Sequence, residues 1–354
     1  MRRLTVMTWN VENLVLPAPD SPQARAAAFR SKILALAAVI DRERPDVLAL
    51  QEVGGDEVLE VLRQALLSPM PHGICGEPDG RGFRVAFLTR LPITDAADIV
   101  SFPRLIRPVQ ARDELFDDVR TAEDESLTEE MSRGALEISV EADGLEVTLI
   151  NVHFKSKLPS YPRRQGLVQG SPFEPKDEGE RCRYAAYALY RRTAEAVTVR
   201  ECVNEILAPA GGSFAPEAGR GREKAVIVCG TLNDGPESAS TQILEGPGGR
   251  QLGTTRRPGG EAGDGYRLWN LAPLLNRGPL GEAPAEPPRS RVFRGQGELI
   301  DHVLASHRLV CGQRPPTAHT TAVREPLASV DENPGDRAGE TAPDHAAVVI
   351  RFVL

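Results

Sequence analysis

The chain has no paired cysteines in close spacing, no excess of basic charge and no long apolar run. Its five cysteines (Cys75, Cys182, Cys202, Cys229, Cys311) are odd in number and form no CxxC pair, which argues against structural zinc and a disulfide framework. Reduced thiols and a cytoplasmic location are therefore expected. Lys and Arg total 42 against 50 Asp and Glu, a formal net charge of -8. An architectural nucleic-acid binder, which works by neutralising phosphates with excess cations, is thereby disfavoured. A nuclease is not, because a bound divalent cation and a local basic rim can offset the overall sign. No stretch approaches the roughly 18 apolar residues of a membrane span. Asn10, Glu12 and Asn13 interrupt any signal-like h-region after Met1-Arg2-Arg3, so no membrane anchor is expected. Aromatic residues make up only 5%, too few for an obvious single-strand stacking platform.

What is present is an ordinary globular composition, 41% hydrophobic and 26% charged, enough for a sizeable core in 354 residues. Strand-like runs occur at Leu4–Thr8, Val47–Leu50, Arg84–Leu88, Leu136–Val140, Val147–Val152, Ala225–Val228, Leu299–Ala305 and Ala346–Val353. Apolar residues at i, i+3/i+4 spacing predict helices over Phe29–Arg42 and Asp56–Leu67, and a long third helix from Glu180 to about Leu207. On that third helix Arg181, Arg183, Arg191 and Arg192 mix with Glu180, Glu195 and Glu201, the pattern of a solvated face. Trp269 is expected in the core. Gly/Pro-dense or polar stretches at about 156–177, 209–222, 246–265, 277–291 and 317–342 read as surface loops of a single domain spanning 1–354. Strands outnumber helices without strict alternation, which points to an α/β (α+β) sandwich of two sheets with helices on the outer faces.

Short polar motifs follow the strand-like runs: Thr8-Trp9-Asn10, Leu50-Gln51-Glu52, Asn151-Val152-His153, Gly230-Thr231-Leu232-Asn233-Asp234, Ile300-Asp301-His302 and Asp344-His345. Carboxylates, amides and imidazoles at strand ends are the ingredients of a metal-assisted phosphoester hydrolase. Glu52 offers the oxygen ligand that hard divalent cations take, and Asn10 a neutral oxygen beside it. The bland alternative has Glu52 capping the helix at Asp56 and Asn10 in a turn. His153, with Lys155 and Lys157 just beyond, can hold a phosphate oxygen and stabilise its developing charge; otherwise the histidine is satisfied within a polar edge and the lysines belong to a solvated loop. Asp344 beside His345 can set the imidazole's orientation and raise its basicity. Alternation along a strand puts Asp301 and His302 on opposite faces, so Asp301 is assigned to the site and His302 to structure.

Together these motifs resemble the endonuclease/exonuclease/phosphatase superfamily, whose fold is DNase I-like. The resemblance runs nearly end to end, in order: Thr-Trp-Asn-Val-Glu-Asn at 8–13, Gln-Glu at 51–52, Asn-Val-His at 151–153, Gly-x-Leu-Asn-Asp at 230–234, Ile-Asp-His-Val at 300–303 and Asp-His at 344–345. It implies a four-layered sandwich, two mostly antiparallel sheets packed face to face, and Mg²⁺- or Mn²⁺-assisted cleavage by a directly attacking water. It also implies that Glu52 binds the metal with Asn10 close by, and that His153 and Asn233 contact the scissile phosphate. Asp301 and Asp344 would then orient or tune the histidine and the metal, and His345 would complete the acid–base machinery.

One position departs from the family. The residue after the motif glycine is normally Asp, which positions or deprotonates the attacking water; here it is Thr231. A threonine hydroxyl can hold a water but cannot accept a proton at neutral pH. General-base catalysis contributes about 10²- to 10⁴-fold, so its loss implies a slow enzyme rather than a dead one. Asp234 is not expected to substitute, because Asp234-Gly235-Pro236 reads as a turn. Natural tuning, degeneration into a binding protein and an introduced substitution all remain open.

The expected activity is a phosphodiesterase with a nuclease-like substrate. The basic stretch Lys155, Lys157, Arg163 and Arg164 suits a phosphate-tracking groove. The rivals are a phosphatase of a small or inositol/lipid phosphate, and a non-catalytic phosphate- or nucleic-acid-binding protein. A monomer is expected.

Overall fold

Strand β1 shows how the sequence builds the layers: Leu4 and Val6 face one side, Met7 and Trp9 the other, and all four are fully buried. A strand buried on both faces must lie between two apolar layers. The structure is a computed structural model that describes residues 3–113, 126–159, 161, 174–208, 220–246, 264–278, 281–311, 314–330, 337 and 339–354. Arg163, Arg164 and most of the expected loops 156–177, 209–222 and 246–265 lie outside the described residues.

The elements run β1 (Arg3–Leu14), α1 (Gln23–Glu43), β2 (Val47–Val53), α2 (Asp56–Ala65), β3 (His72–Cys75), β4 (Arg84–Thr89) and β5 (Ile93–Ser101). Then come β6 (Val109–Gln110), β7 (Leu127–Thr128), β8 (Glu130–Ala142), β9 (Leu145–His153), α3 (Glu178–Leu207), β10 (Ala225–Thr231) and α4 (Ala239–Glu245). The chain closes with β11 (Leu268–Asn270), β12 (Arg291–Phe293), β13 (Gln296–Glu298), β14 (Asp301–Ser306), α5 (His307–Val310), β15 (Thr317–Thr321), β16 (Ser329–Val330) and β17 (Ala347–Val353). The helix starting at Glu178 is capped by the Asp177 carboxylate, which accepts from the Glu180 amide at 2.8 Å.

Two six-stranded sheets have the orders β15-β17-β1-β2-β4-β3 and β11-β14-β10-β9-β8-β5. Each has one parallel pair at its centre, β1 with β2 and β9 with β10, flanked by antiparallel neighbours. The apolar core has three layers. Val6, Ala49, Phe87, Ile138, Leu149 and Ile227 fill the space between the sheets. Leu48, Leu50 and Met7 pack under Leu36 and Ile40 of α1, and Val226, Val228 and Ile150 pack under Ala196 and Val199 of α3. The result is the expected four-layered α/β sandwich.

Two expectations are corrected here. The stretch 317–342 contains a strand, β15, which pairs with β17 through Thr317↔Arg351 to Thr321↔Ala347 and forms the edge of the first sheet, and also the short β16. The face on α3 expected to be solvated is exposed at Arg181, Arg183 and Glu201 but not elsewhere. Arg192 is buried against Asp234 at 2.9 Å, and Glu195, with no exposure, accepts from the Ser132 amide at 2.9 Å and from the Lys155 amide. Trp269 is buried as expected.

Candidate active site

The four central strands carry polar residues to one rim of the sandwich. Asn10, Glu52, His153 and Thr231 lie at the C-terminal ends of β1, β2, β9 and β10, while Asp301 opens β14 and His345 precedes β17. Along β9, Val147 and Leu149 face the inter-sheet core, and the same alternation continues to Asn151 and His153. On β10 the series Ile227, Cys229 continues to Thr231, and on β14 Val303 and Ala305 follow from Asp301. The site is thus the inter-sheet layer turning polar as it reaches the rim.

A belt of motif residues seals that transition and is structural. Asn151, fully buried, donates to the Leu50 and Ala86 carbonyls at 2.9 Å each and accepts from Gln51 Nε2 at 2.7 Å; Gln51 also donates to Thr8 Oγ1 at 3.0 Å. These bonds tie one sheet to the other. His302 is likewise structural: buried and held neutral by desolvation, it donates through Nε2 to the Asp234 carbonyl at 2.9 Å and accepts from Asn270 at its Nδ1.

Beyond the belt runs a continuous polar chain. Asn10 Nδ2 donates to Glu52 Oε1 at 3.2 Å and approaches Thr231 Oγ1 at 3.4 Å. Thr231 donates to Asp301 Oδ1 at 2.6 Å, and Asp301 Oδ2 accepts from His345 Nδ1 at 2.6 Å. Of the two carboxylates expected to orient or tune His345, Asp301 contacts it directly; Asp344 Oδ1 stands 3.9 Å from Nε2 while its Oδ2 accepts from Arg291 Nε at 3.1 Å. The Thr231 side chain has no exposure and its proton goes to Asp301.

These contacts set the charges. Burial alone would lower the His345 pKa, but the Asp301 and Asp344 carboxylates outweigh it and push it up to about 9. Asp301 is driven upward by burial, yet His345 and the bond from Thr231 hold it below the usual carboxylate range. His153 is the reverse case: burial and the surrounding cations push it well below its ordinary value, so it is neutral. Its Nε2 lies 3.8 Å from Glu52 Oε1, and its Nδ1 is buried without a hydrogen-bond partner. Asn233 lines the same cleft and commits an amide hydrogen to the Phe154 carbonyl at 2.8 Å.

Several site residues sit at strained backbone. Glu12, Asn13, Glu52 and Asn233 all have φ between 50° and 65°, the left-handed region that side chains avoid. At Glu52 the strain has a visible effect. Strict alternation would send it outward with Leu48 and Leu50, but a register shift between Gln51 and Val53 brings it to Asn10 and to the Asn13 amide, which donates to Oε2 at 2.9 Å. It does not cap α2, whose N-cap is Gly55.

The cleft measures 820 Å³ and is lined by residues that sequence reading passed over, including Arg81, Asp79, Arg133, Arg291, Arg294 and Arg337. Glu12 and Lys32 are a further unforeseen pair. Lys32 donates to the Glu12 carbonyl at 2.6 Å, and Arg337 closes on the Glu12 carboxylate. A lysine inside the apolar stripe of α1, next to Ile33, was the available signal for it.

Among the described residues no group of three or more His, Cys, Asp and Glu converges as a metal cage. That does not conflict with Mg²⁺, which keeps several waters and uses one or two carboxylates. The lining carboxylates differ in a telling way. Glu12 pairs with Lys32 and Arg337, Asp79 with Arg81 and Arg133, Glu298 with Lys157, and Asp344 with Arg291. Glu52 accepts from Asn10 and the Asn13 amide but, among the described residues, forms no ion pair with a Lys or Arg and has only the neutral His153 at 3.8 Å, so of the lining carboxylates it best fits a cation as its partner. The Asn10 amide oxygen is turned to the Glu12 amide at 2.9 Å, which makes Asn10 an orienting group for Glu52.

The model of the Endonuclease/Exonuclease/phosphatase family matches residues 7–129, the part that holds the Asn10 and Glu52 motifs. No curated protein matches the chain in sequence. Among solved structures, D. rerio TDP2 humanized by 14 mutations is similar over 99% of this chain and 99% of its own, with a TM-score of 0.52 and 15% identity. Truncated Caenorhabditis elegans TDP2 covers 99% and 98%, with a TM-score of 0.51 and 16% identity. The human Nocturnin catalytic domain with bound sulfate covers 100% and 95%, with 0.51 and 14%. At such identities the likeness is one of fold. The chain therefore resembles this family in sequence over its first third and has the DNase I-like fold. No helix among the described residues is long and apolar enough to cross a membrane.

Proposed function

We propose that the chain is a metal-dependent phosphodiesterase with a nuclease-like substrate, slowed by Thr231 at the position of the usual Asp. The observation that carries this reading is the Glu52 carboxylate, without a Lys or Arg ion pair among the described residues, on the same rim as a cationic His345 and joined to it through Asn10, Thr231 and Asp301. Mg²⁺ or Mn²⁺ held by Glu52 would lower the pKa of a water and clamp a phosphoryl oxygen. The chain's own groups divide the remaining work. His345, held protonated by Asp301, donates to a phosphoryl oxygen and offsets the charge that develops there. His153 and Asn233 contact the scissile phosphate, and Arg133 adds positive charge to the cleft. Asp344 fixes Arg291, so it supports the cleft through that arginine rather than as a free metal ligand. No carboxylate stands at position 231 to take the proton of the attacking water, and Asp234 cannot replace it because Arg192 and Ser240 hold its Oδ2 at 2.9 and 2.6 Å.

The test is hydrolysis of nicked plasmid and of bis(p-nitrophenyl) phosphate with Mg²⁺, Mn²⁺ or EDTA. Chelator-sensitive turnover that rises with Thr231→Asp and is lost with His345→Ala is expected. Tight binding of either substrate, without hydrolysis by any variant, would instead make the chain a phosphate-binding protein.

A further inference from the structure

A second recess of 510 Å³ adjoins the catalytic cleft. It is lined by Arg112, Lys155, Pro159, Tyr161, Tyr184 and Arg191 among others, and shares Lys155, Pro159, Tyr161 and Arg191 with the cleft wall. Two of its cations, Arg191 and Lys155, form no ion pair with a carboxylate among the described residues. Among the described residues Arg191 has no hydrogen bond or ion pair, and its Nε is buried without a partner. Among the described residues Lys155 Nζ donates only to oxygens of its own loop, the Leu158 carbonyl at 3.2 Å and the Ser156 hydroxyl and carbonyl at 3.3 and 3.5 Å. The carboxylates close by are already engaged. Glu195 is committed to Ser132 and to the Lys155 backbone, and Asp113 to Arg183 at 2.9 Å and Tyr187 at 2.9 Å. Burial and the charges of Arg133 and Arg191 push Lys155 down to about 7, a shift that the Glu195 carboxylate opposes but does not cancel. Holding an unpaired guanidinium in such a place costs stability, and an anion would offset that cost. One wall of the recess is apolar, formed by the buried Tyr161 and Tyr184 with ring centroids 5.3 Å apart.

We propose that this recess is a second phosphate subsite, in which Arg191 and Lys155 hold a terminal phosphomonoester of the substrate while the neighbouring phosphodiester lies in the cleft. The assignment rests on the phosphodiesterase reading for its substrate, but not for its chemistry of binding. It predicts a preference for short or end-phosphorylated substrates, since a terminal dianion is the better match for two adjacent cations than a bridging monoanion.

The experiment is binding without turnover, in EDTA. Inorganic phosphate is expected to raise the melting temperature of the wild-type protein and to do so much less for Arg191→Gln. By calorimetry, a dinucleotide bearing a 5′-phosphate is expected to bind at least about tenfold more tightly than the same dinucleotide without it, and Arg191→Gln to lose that preference. Because Arg191 has no hydrogen bond or ion pair among the described residues, and its burial outweighs the pull of Glu195, the variant itself should melt no lower than wild type. Equal stabilisation of both proteins by phosphate, or no preference for the phosphorylated dinucleotide in wild type, overturns the subsite. A preference that depends on Arg191 in a protein with no metal-dependent turnover would keep the subsite and remove the hydrolase reading.

Discussion

Replacing Thr231 by valine keeps the volume and removes one hydrogen bond, which makes it the sharpest probe of the site. Thr231 donates at 2.6 Å to Asp301, a carboxylate only 1% exposed, and that carboxylate carries His345 on its other oxygen. A hydrogen bond to a buried charged group contributes about 1.5–3 kcal/mol. That bond helps to hold the Asp301 pKa down, so its loss should raise the Asp301 pKa, while His345, whose partner stays ionised at neutral pH, keeps its raised pKa. NMR titration of the Asp301 carboxyl and the His345 imidazole in metal-free protein reads the two midpoints directly. The melting temperature near neutral pH should drop by about 2–4 °C for the same loss. Activity should follow, with the acid limb of the rate profile moving to higher pH. An Asp301 midpoint that stays in place, with an unchanged melting temperature, would refute the view that Thr231 braces Asp301.

His345→Gln tests the same pair through stability. His345 is raised from 6.5 to about 9, so its contribution, about 3 kcal/mol, is fully present below pH 6.5 and is lost as pH rises through 9. Lys155, lowered from 10.5 to about 7, acts in the opposite sense between those values, so the quantity to read is the wild-type minus His345→Gln difference in urea unfolding across pH 6 to 10. A difference that stays constant over that range would count against the pair. Glu52→Gln should abolish the rise in melting temperature that millimolar Mn²⁺ gives the wild type, since linkage requires a bound cation; an undiminished rise would place the metal elsewhere. Arg192→Leu leaves Asp234 buried and without its cation, at a cost of about 3–5 kcal/mol by denaturant titration, whereas a change under 1 kcal/mol would mean that Ser240 suffices. Gly230→Ala should fail to yield folded protein by circular dichroism: φ is +135° and a Cβ would stand 2.0 Å from the Val152 carbonyl oxygen, so a normally melting variant would contradict the β9–β10 register.

What the sequence disclosed, and what it hid, follows from which contacts are local. The apolar runs Val147–Val152 and Ala225–Val228 are local patterns, and they foretold the strands that carry His153 and Thr231 to the rim. Alternation separated Asp301 from His302. Applied to Asp344 and His345 it would have separated them too, since neighbours at a strand start diverge. The structure sends Asp344 to Arg291 and brings Asp301, 44 positions away in the chain, to His345. Glu52 escaped by a different route: its approach to Asn10 depends on a left-handed residue and a register shift, neither of which alternation can express. Arg192 and Glu195 were hidden because a helix with charges on most turns reads as solvated until something folds over it, and here Asp234 and Lys155 do. Strand β15 was masked by Thr and His residues that suit an edge but look like loop. The motif positions that proved structural, Thr8, Gln51 and Asn151, are as polar as those at the cleft. They stand deeper between the sheets, where a polar side chain must bind the opposite sheet or remain unsatisfied. Depth below the rim, rather than residue type, separates the groups that hold the sandwich together from those that face a substrate.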